Sequence, residues 1–160
     1  MPSRRRNPDS RTVSGQKAGG RPPWAVIYYK APDGTVPALE FLDGCPGKID
    51  AEFTAVLDAV AAAPPPKFSG GGKWEAMHEA MGGWYEIRLT GPGREQFRLF
   101  CLLENASDDE LVRRGLPRPA IAVITGMRKP WRTVFSARDY ARVRELGDEH
   151  RRNYPRRIAT

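Results

Sequence analysis

The sequence predicts an α+β fold: a small, mostly antiparallel sheet packed on an N-terminal helical hairpin, with a C-terminal helix. Three observations carry that prediction. Residues 24–30, 84–89, 95–104 and 120–129 are β-branched and aromatic runs with strand character. Residues 37–62 instead space their apolar side chains at helical intervals. The last segment opens on Ser136 with Asp139 three residues later, a helix-capping pattern.

In order, WAVIYYK (24–30) is the first strand, closed by the turn APDG. PALEFLDG (37–44) is a short helix. In the helix that follows, Ile49, Phe53, Val56, Leu57 and Val60 fall on one face, and Pro64, Pro65 and Pro66 stop it. KFSGGGKWEAMHEAMGG (67–83) reads as a loop. WYEIRL (84–89) and EQFRLFCLLE (95–104) form a hairpin through TGPGR, and residues 105–119 make a long polar connection. AIAVITGMRK (120–129) is the last strand, and the terminal helix is expected to seat Tyr140 and Val143 in the core. The order is therefore β-α-α-β-β-β-α.

The chain of 160 residues has the length of one domain, 24–160, preceded by a basic extension, 1–23, whose Arg, Ser, Gly and Pro content predicts disorder. No apolar run is long enough to span a membrane, and no hydrophobic segment follows the N-terminal arginines as a secretory signal requires. Cys45 and Cys101 lack metal-ligand spacing and read as buried thiols, which places the protein in the cytoplasm. No cofactor or metal site is expected. Of the net charge of +7, residues 1–23 contribute +5 and residues 136–160 contribute +3, leaving the middle at −1. The basicity suits RNA or an acidic partner, and a solvated basic tail equally.

Alternation then places Tyr85, Ile87 and Leu89 on one face of the hairpin, with Trp84, Glu86 and Arg88 on the other. Likewise Phe97, Leu99, Cys101 and Leu103 oppose Gln96, Arg98, Phe100 and Leu102. Folding about Pro92–Gly93 sets Arg88 nearly opposite Arg98. Like charges in that relation repel, so an anion is expected between them, unless Glu86 and Glu95 neutralise them on a solvated face. Arg128, Lys129 and Arg132 leave the last strand around Trp131, a basic and aromatic set suited to phosphates and unstacked bases. Lys73 joins this RNA-contacting set, although SGGGK itself reads as a linker, because Trp74 stands where a phosphate-binding loop needs Ser or Thr. His78 reads as a surface or capping residue, with catalysis the other option, and His150 as an exposed one.

The succession PALEFLDGCPGKIDAEFTAVLDAV, GGWYEIRL, QFRLFCLL, AIAVITGMRKPWR and a terminal helix resembles the RelE/ParE toxin superfamily, in its HigB-like, phage-related branch, over about residues 24–155. The resemblance implies an RNA cleft on the open face of the sheet and cleavage of mRNA, typically on the ribosome. It also implies silencing by a helix-turn-helix antitoxin. It gives Arg98 and Arg88 the role of phosphate clamps. Lys129 or Arg128 would bind the phosphate or protonate the leaving oxygen, and Glu86 is a conceivable general base. The chain departs from the pattern in its extension, in its connection 105–119, in Glu86 where some relatives carry lysine, and in offering Tyr140 or His150 only ambiguously as the terminal group. Two other readings stand beside the nuclease: a binding module of the same fold without chemistry, and a ParE-like poison of DNA gyrase.

Overall fold

A computed structural model describes residues 23–64 and 72–160. The predicted disorder of 1–23 lies almost wholly outside them, as do most of the SGGG linker and Pro65–Pro66. The described residues build one six-stranded sheet from β1 (Ala25–Tyr29), β2 (Trp74–Ala76), β3 (Trp84–Thr90), β4 (Gln96–Glu104), β5 (Ala120–Lys129) and β6 (Ile158–Ala159), in the order β2-β3-β4-β5-β1-β6. Only β1 and β5 run parallel, and the other neighbours are antiparallel. The helices are α1 (Pro37–Gly44), α2 (Gly47–Ala62), α3 (Asp108–Arg113) and α4 (Ala137–Arg152).

One face of the sheet is buried under α1 and α2. Pro37 opens α1 at a position where its missing N–H costs nothing, and Ala38, Leu39 and Leu42 turn inward. Ile49, Phe53, Val56, Leu57 and Val60 of α2 are all buried, as their spacing requires, and the helix ends just before Pro64. They meet Ile87, Leu89, Phe97, Leu99, Cys101, Ile121 and Val123 from the strands. Gly126 is needed here: a Cβ at that position would fall inside the ring of Phe41. Both cysteines are free and buried.

The opposite face is not open along its length. It carries a second core of Ile27, Tyr29, Trp84, Phe100, Leu102, Ala122 and Ile124, closed by Leu111 of α3 and Val143 of α4. A bulge between Phe100 and Cys101 shifts the β4–β5 register there. Gly147 lets α4 lie directly on Trp84, whose indole occupies the space a Cβ would need. The open face that the resemblance implies is thus covered over the central strands, because their second face is as apolar as the first. Among the described residues, an open, charged stretch remains toward β2 and the β3–β4 turn, where Glu75, Arg88 and Arg94 are exposed.

Four elements go beyond the sequence reading. The loop 67–83 contains β2, too short at three residues to show alternation, and a 3-10 turn over Glu79–Met81. The polar connection holds α3, whose N-cap Ser107 accepts from the Glu110 N–H and whose first turn carries Asp108 and Asp109. β6 adds an edge strand beside β1. On α4 the capping box forms as expected, with Ser136 and Asp139 each bonding the other's backbone N–H. Val143 is buried and Tyr140 partly so. His150, expected on the surface, has no exposed area, because it follows Val143 and Gly147 on the inward face of the same helix.

Candidate functional site

Arg88 and Arg98 are register partners across β3 and β4. The two side chains differ sharply in environment. Arg98 is only 8% exposed; its guanidinium donates to its neighbour's Phe97 carbonyl at 3.0 Å and to Gln96 Oε1 at 3.0 Å. The Phe135 ring lies 5.4 Å from the same guanidinium. Arg88 is exposed and donates to Glu75 of β2 at 3.2 Å, with Glu86 at 3.7 Å. Its backbone N–H bonds the Lys73 carbonyl, which continues the β2–β3 pairing by one residue.

Glu86 lies between the arginines and the second core. Burial raises its carboxyl above the ordinary range, although Arg98 and Arg88 pull the other way. Its Oε2 is buried and accepts no hydrogen bond. Burial and the adjacent Arg88 hold the Arg98 guanidinium below its usual value, with Glu86, Tyr140 and Glu75 opposing. Tyr140 reaches this group from α4. Burial and the Glu86 charge raise its hydroxyl, so it keeps its proton at neutral pH. Its ring packs edge-on to Phe100 at 6.1 Å and tilts against Phe135 at 6.4 Å. Arg88, Arg98, Glu86 and Tyr140 thus form one cluster on the sheet face beneath the start of α4.

The strand-end cations do not gather as one patch. Arg128 pairs in register with Phe97, stacks on its ring at 4.9 Å and faces α1. There it forms a two-pronged pair with Glu95, at 2.6 and 2.8 Å, and donates to the Gly44 carbonyl at 2.9 Å. Lys129, one residue on, lies on the Arg98 face and pairs with Asp139 at 3.3 Å. Trp131 is 48% exposed, with the guanidinium of Arg132 4.3 Å and that of Arg94 4.7 Å from its ring. Arg94, from the β3–β4 turn, had no signal in the sequence because its contact depends on the folded hairpin. The Lys73 side chain is exposed at the β2 end of the sheet. The structure therefore brings Arg88, Arg98 and Lys129 to one face and sends Arg128 to the other.

Next to the cluster, a cavity of about 340 Å³ opens between the 79–81 turn and α4, with Tyr140 and Arg144 on one wall and His78 on the other. Among the described residues, no group of three or more His, Cys, Asp or Glu side chains could hold a metal ion. No described helix is long and apolar enough to cross a membrane.

A second polar group lies at the far end of β4. Glu104, 3% exposed, accepts from His150 Nε2 at 2.9 Å and Arg156 Nε at 3.0 Å on one oxygen, and from Arg114 at 2.9 Å on the other. Burial alone would raise this carboxyl; the hydrogen bonds from His150 and Arg156 reverse that and bring it to about 2. Arg156 also donates to the Arg151 and Asn153 carbonyls, tying the chain after α4 onto the sheet.

Compared with protein-family models, with curated proteins and with solved structures, the chain gives no match in any of the three.

Proposed function

We propose that the protein is an endoribonuclease that cuts mRNA by attack of a ribose 2′-OH on the adjacent phosphate, acting as the toxin of a toxin–antitoxin pair on a RelE-like fold. The observation that carries the reading is the Arg88–Arg98 cross-strand pair, with Glu86 and Tyr140 on the same face. Such a reaction leaves a 2′,3′-cyclic phosphate and a 5′-OH. It needs a base for the 2′-OH, cations for the phosphorane oxygens and an acid for the leaving 5′-oxygen.

Each need has a group. The unbonded Oε2 of Glu86 takes the 2′-OH proton, and its raised pKa strengthens it as a base. Arg98 is held in place by Phe97, Gln96 and Phe135, and two of its five N–H donors are spent there, which leaves three for the developing charge. Arg88 exchanges Glu75 for the phosphate, an exposed pair that is weakly held. Tyr140, which keeps its proton, protonates the leaving oxygen. That role passes to it from Lys129 and Arg128, because Lys129 is engaged by Asp139 and Arg128 faces α1. Lys129 remains on the right face to bind phosphate. Trp131 with Arg94 and Arg132 gives a stacking platform for bases further along the strand.

The motif order resembling HigB-like toxins supplies the partners of the proposal: mRNA on the ribosome, and a helix-turn-helix antitoxin. One observation favours the binding-module reading instead. Arg98 turns its donors onto its own strand, and Arg88 is already met by two carboxylates. Expression without antitoxin, with mapping of mRNA 5′ ends in wild type and Arg98→Ala, separates the two. New 5′-OH ends in translated codons, lost in the variant, support the nuclease. A soluble wild type that makes no new ends refutes it and leaves the binding module.

A further inference from the structure

We propose that the cavity beneath the start of α4 is a base pocket that selects guanine beside the scissile phosphate. This rests on the ribonuclease reading and names the nucleotide its site takes. At about 340 Å³ the cavity is at the small end of ligand pockets, a fit for one planar ring system. Met77, Met81, Ala80 and Ala137 make its walls apolar, and thioethers adapt readily to a flat surface. Beside His78 and Tyr140, it holds two groups of opposite charge, Arg144 and Glu79.

Among the described residues, Arg144 bonds only to Met81 Sδ, at 3.5 Å. Sulfur is a poor acceptor, so a guanidinium with five N–H donors is largely unspent at the cavity wall. Glu79 lines the same cavity and pairs neither with Arg144 nor with any other described cation. Its backbone holds φ at 55°, the left-handed region that non-glycine residues seldom occupy. Backbone strain of this kind is concentrated at ligand sites.

Guanine matches both charges at once. Its N1–H and N2–H₂ donate to a carboxylate, while O6 and N7 accept from an arginine. Adenine would turn an amino group toward Arg144, donor against donor. A pyrimidine lays one ring instead of two against the apolar walls and lacks the paired O6 and N7 acceptors. Tyr140 joins the pocket to the chemistry: it lines the cavity and lies within electrostatic reach of Glu86, Arg98 and Arg88. A base seated here sets its own 3′-phosphate beside the arginine pair.

The test is titration of the full chain with guanosine 3′-monophosphate and adenosine 3′-monophosphate, followed by ¹H–¹⁵N NMR. Wild type, Arg144→Ala and a cavity-filling Ala80→Phe variant are compared, with thermal melting as the folding control. The expected result is about tenfold or greater preference for guanosine 3′-monophosphate. Shifts should centre on residues 77–81 and Ala137, and the preference should vanish in both variants. Equal affinities in wild type, or a preference that survives in folded Ala80→Phe and Arg144→Ala, overturn the pocket. Cleavage is scored separately: guanine preference without RNA cutting sinks the nuclease alone, and cutting without base preference sinks the pocket alone.

Discussion

Replacing Glu104 by Gln tests the buried charge cluster at the end of β4. The substitution keeps the shape but removes the carboxylate that His150, Arg156 and Arg114 all bond. A carboxyl held at about 2 in the folded state, against an ordinary 4.5, stabilises that state by ~3 kcal/mol at neutral pH. Breaking a buried pair and leaving its partner charged costs a similar ~3–5 kcal/mol. The folded pKa is the lower one, so the contribution is complete above pH 4.5 and lost as pH falls toward about 2. Urea unfolding of wild type and Glu104→Gln should therefore differ by ~3 kcal/mol near pH ~7 and by roughly half that near pH ~3. A gap below ~1 kcal/mol, or one that stays constant across this range, would refute the linkage argument.

Three further outcomes follow from the geometry. Gly126→Ala drives a methyl into the Phe41 ring and should cost ~1–3 kcal/mol by denaturant unfolding, whereas Gly34→Ala meets no atoms but is strained by its positive φ. In an RNA cleavage assay, Arg98→Ala should slow the chemical step by about 10²–10³, and Arg98→Lys should restore only part of it because lysine lacks the planar fork. If Glu86 is the base, the acidic limb of kcat/KM lies above the ordinary carboxylate range, and Glu86→Gln removes that limb along with most activity; an unchanged profile would exclude it.

Much of the sheet was legible because alternation is a local property. The facing of Ile87, Leu89, Phe97 and Leu99 toward α1 and α2, and the opposition of Arg88 and Arg98, follow from period two and a short turn. The same rule, applied at Arg128 and Lys129, separates them: adjacent strand residues point to opposite faces, so grouping them by proximity in sequence joined two unrelated environments. The second core was harder to read. Its contributions from α4 are Val143 with Tyr140 and Leu146 partly buried beside it, a short apolar stripe in a helix otherwise dominated by charged residues. His150 is buried because Glu104 waits for it, a partner 46 residues away that no local pattern reveals. Glu86 and Tyr140 likewise acquire their shifted ionisation from burial and from the charged groups around them, neither of which a local pattern reveals.

The members of the Glu104 cluster are also made at very different times. The strand that carries the carboxylate is made early relative to the groups that neutralise it, since Arg114, His150 and Arg156 all follow it in the chain. A nascent or cleaved chain ending before Arg156 would bury that anion with one cation fewer, and would also lack the bonds that fasten the segment after α4. The helix that carries Tyr140 over the arginine pair is thus made after β1 to β5 and is fastened by a residue that follows it. A protease that trims the tail past this arginine would loosen the lid over Arg98 from a distance, without touching any residue of the cluster beneath it.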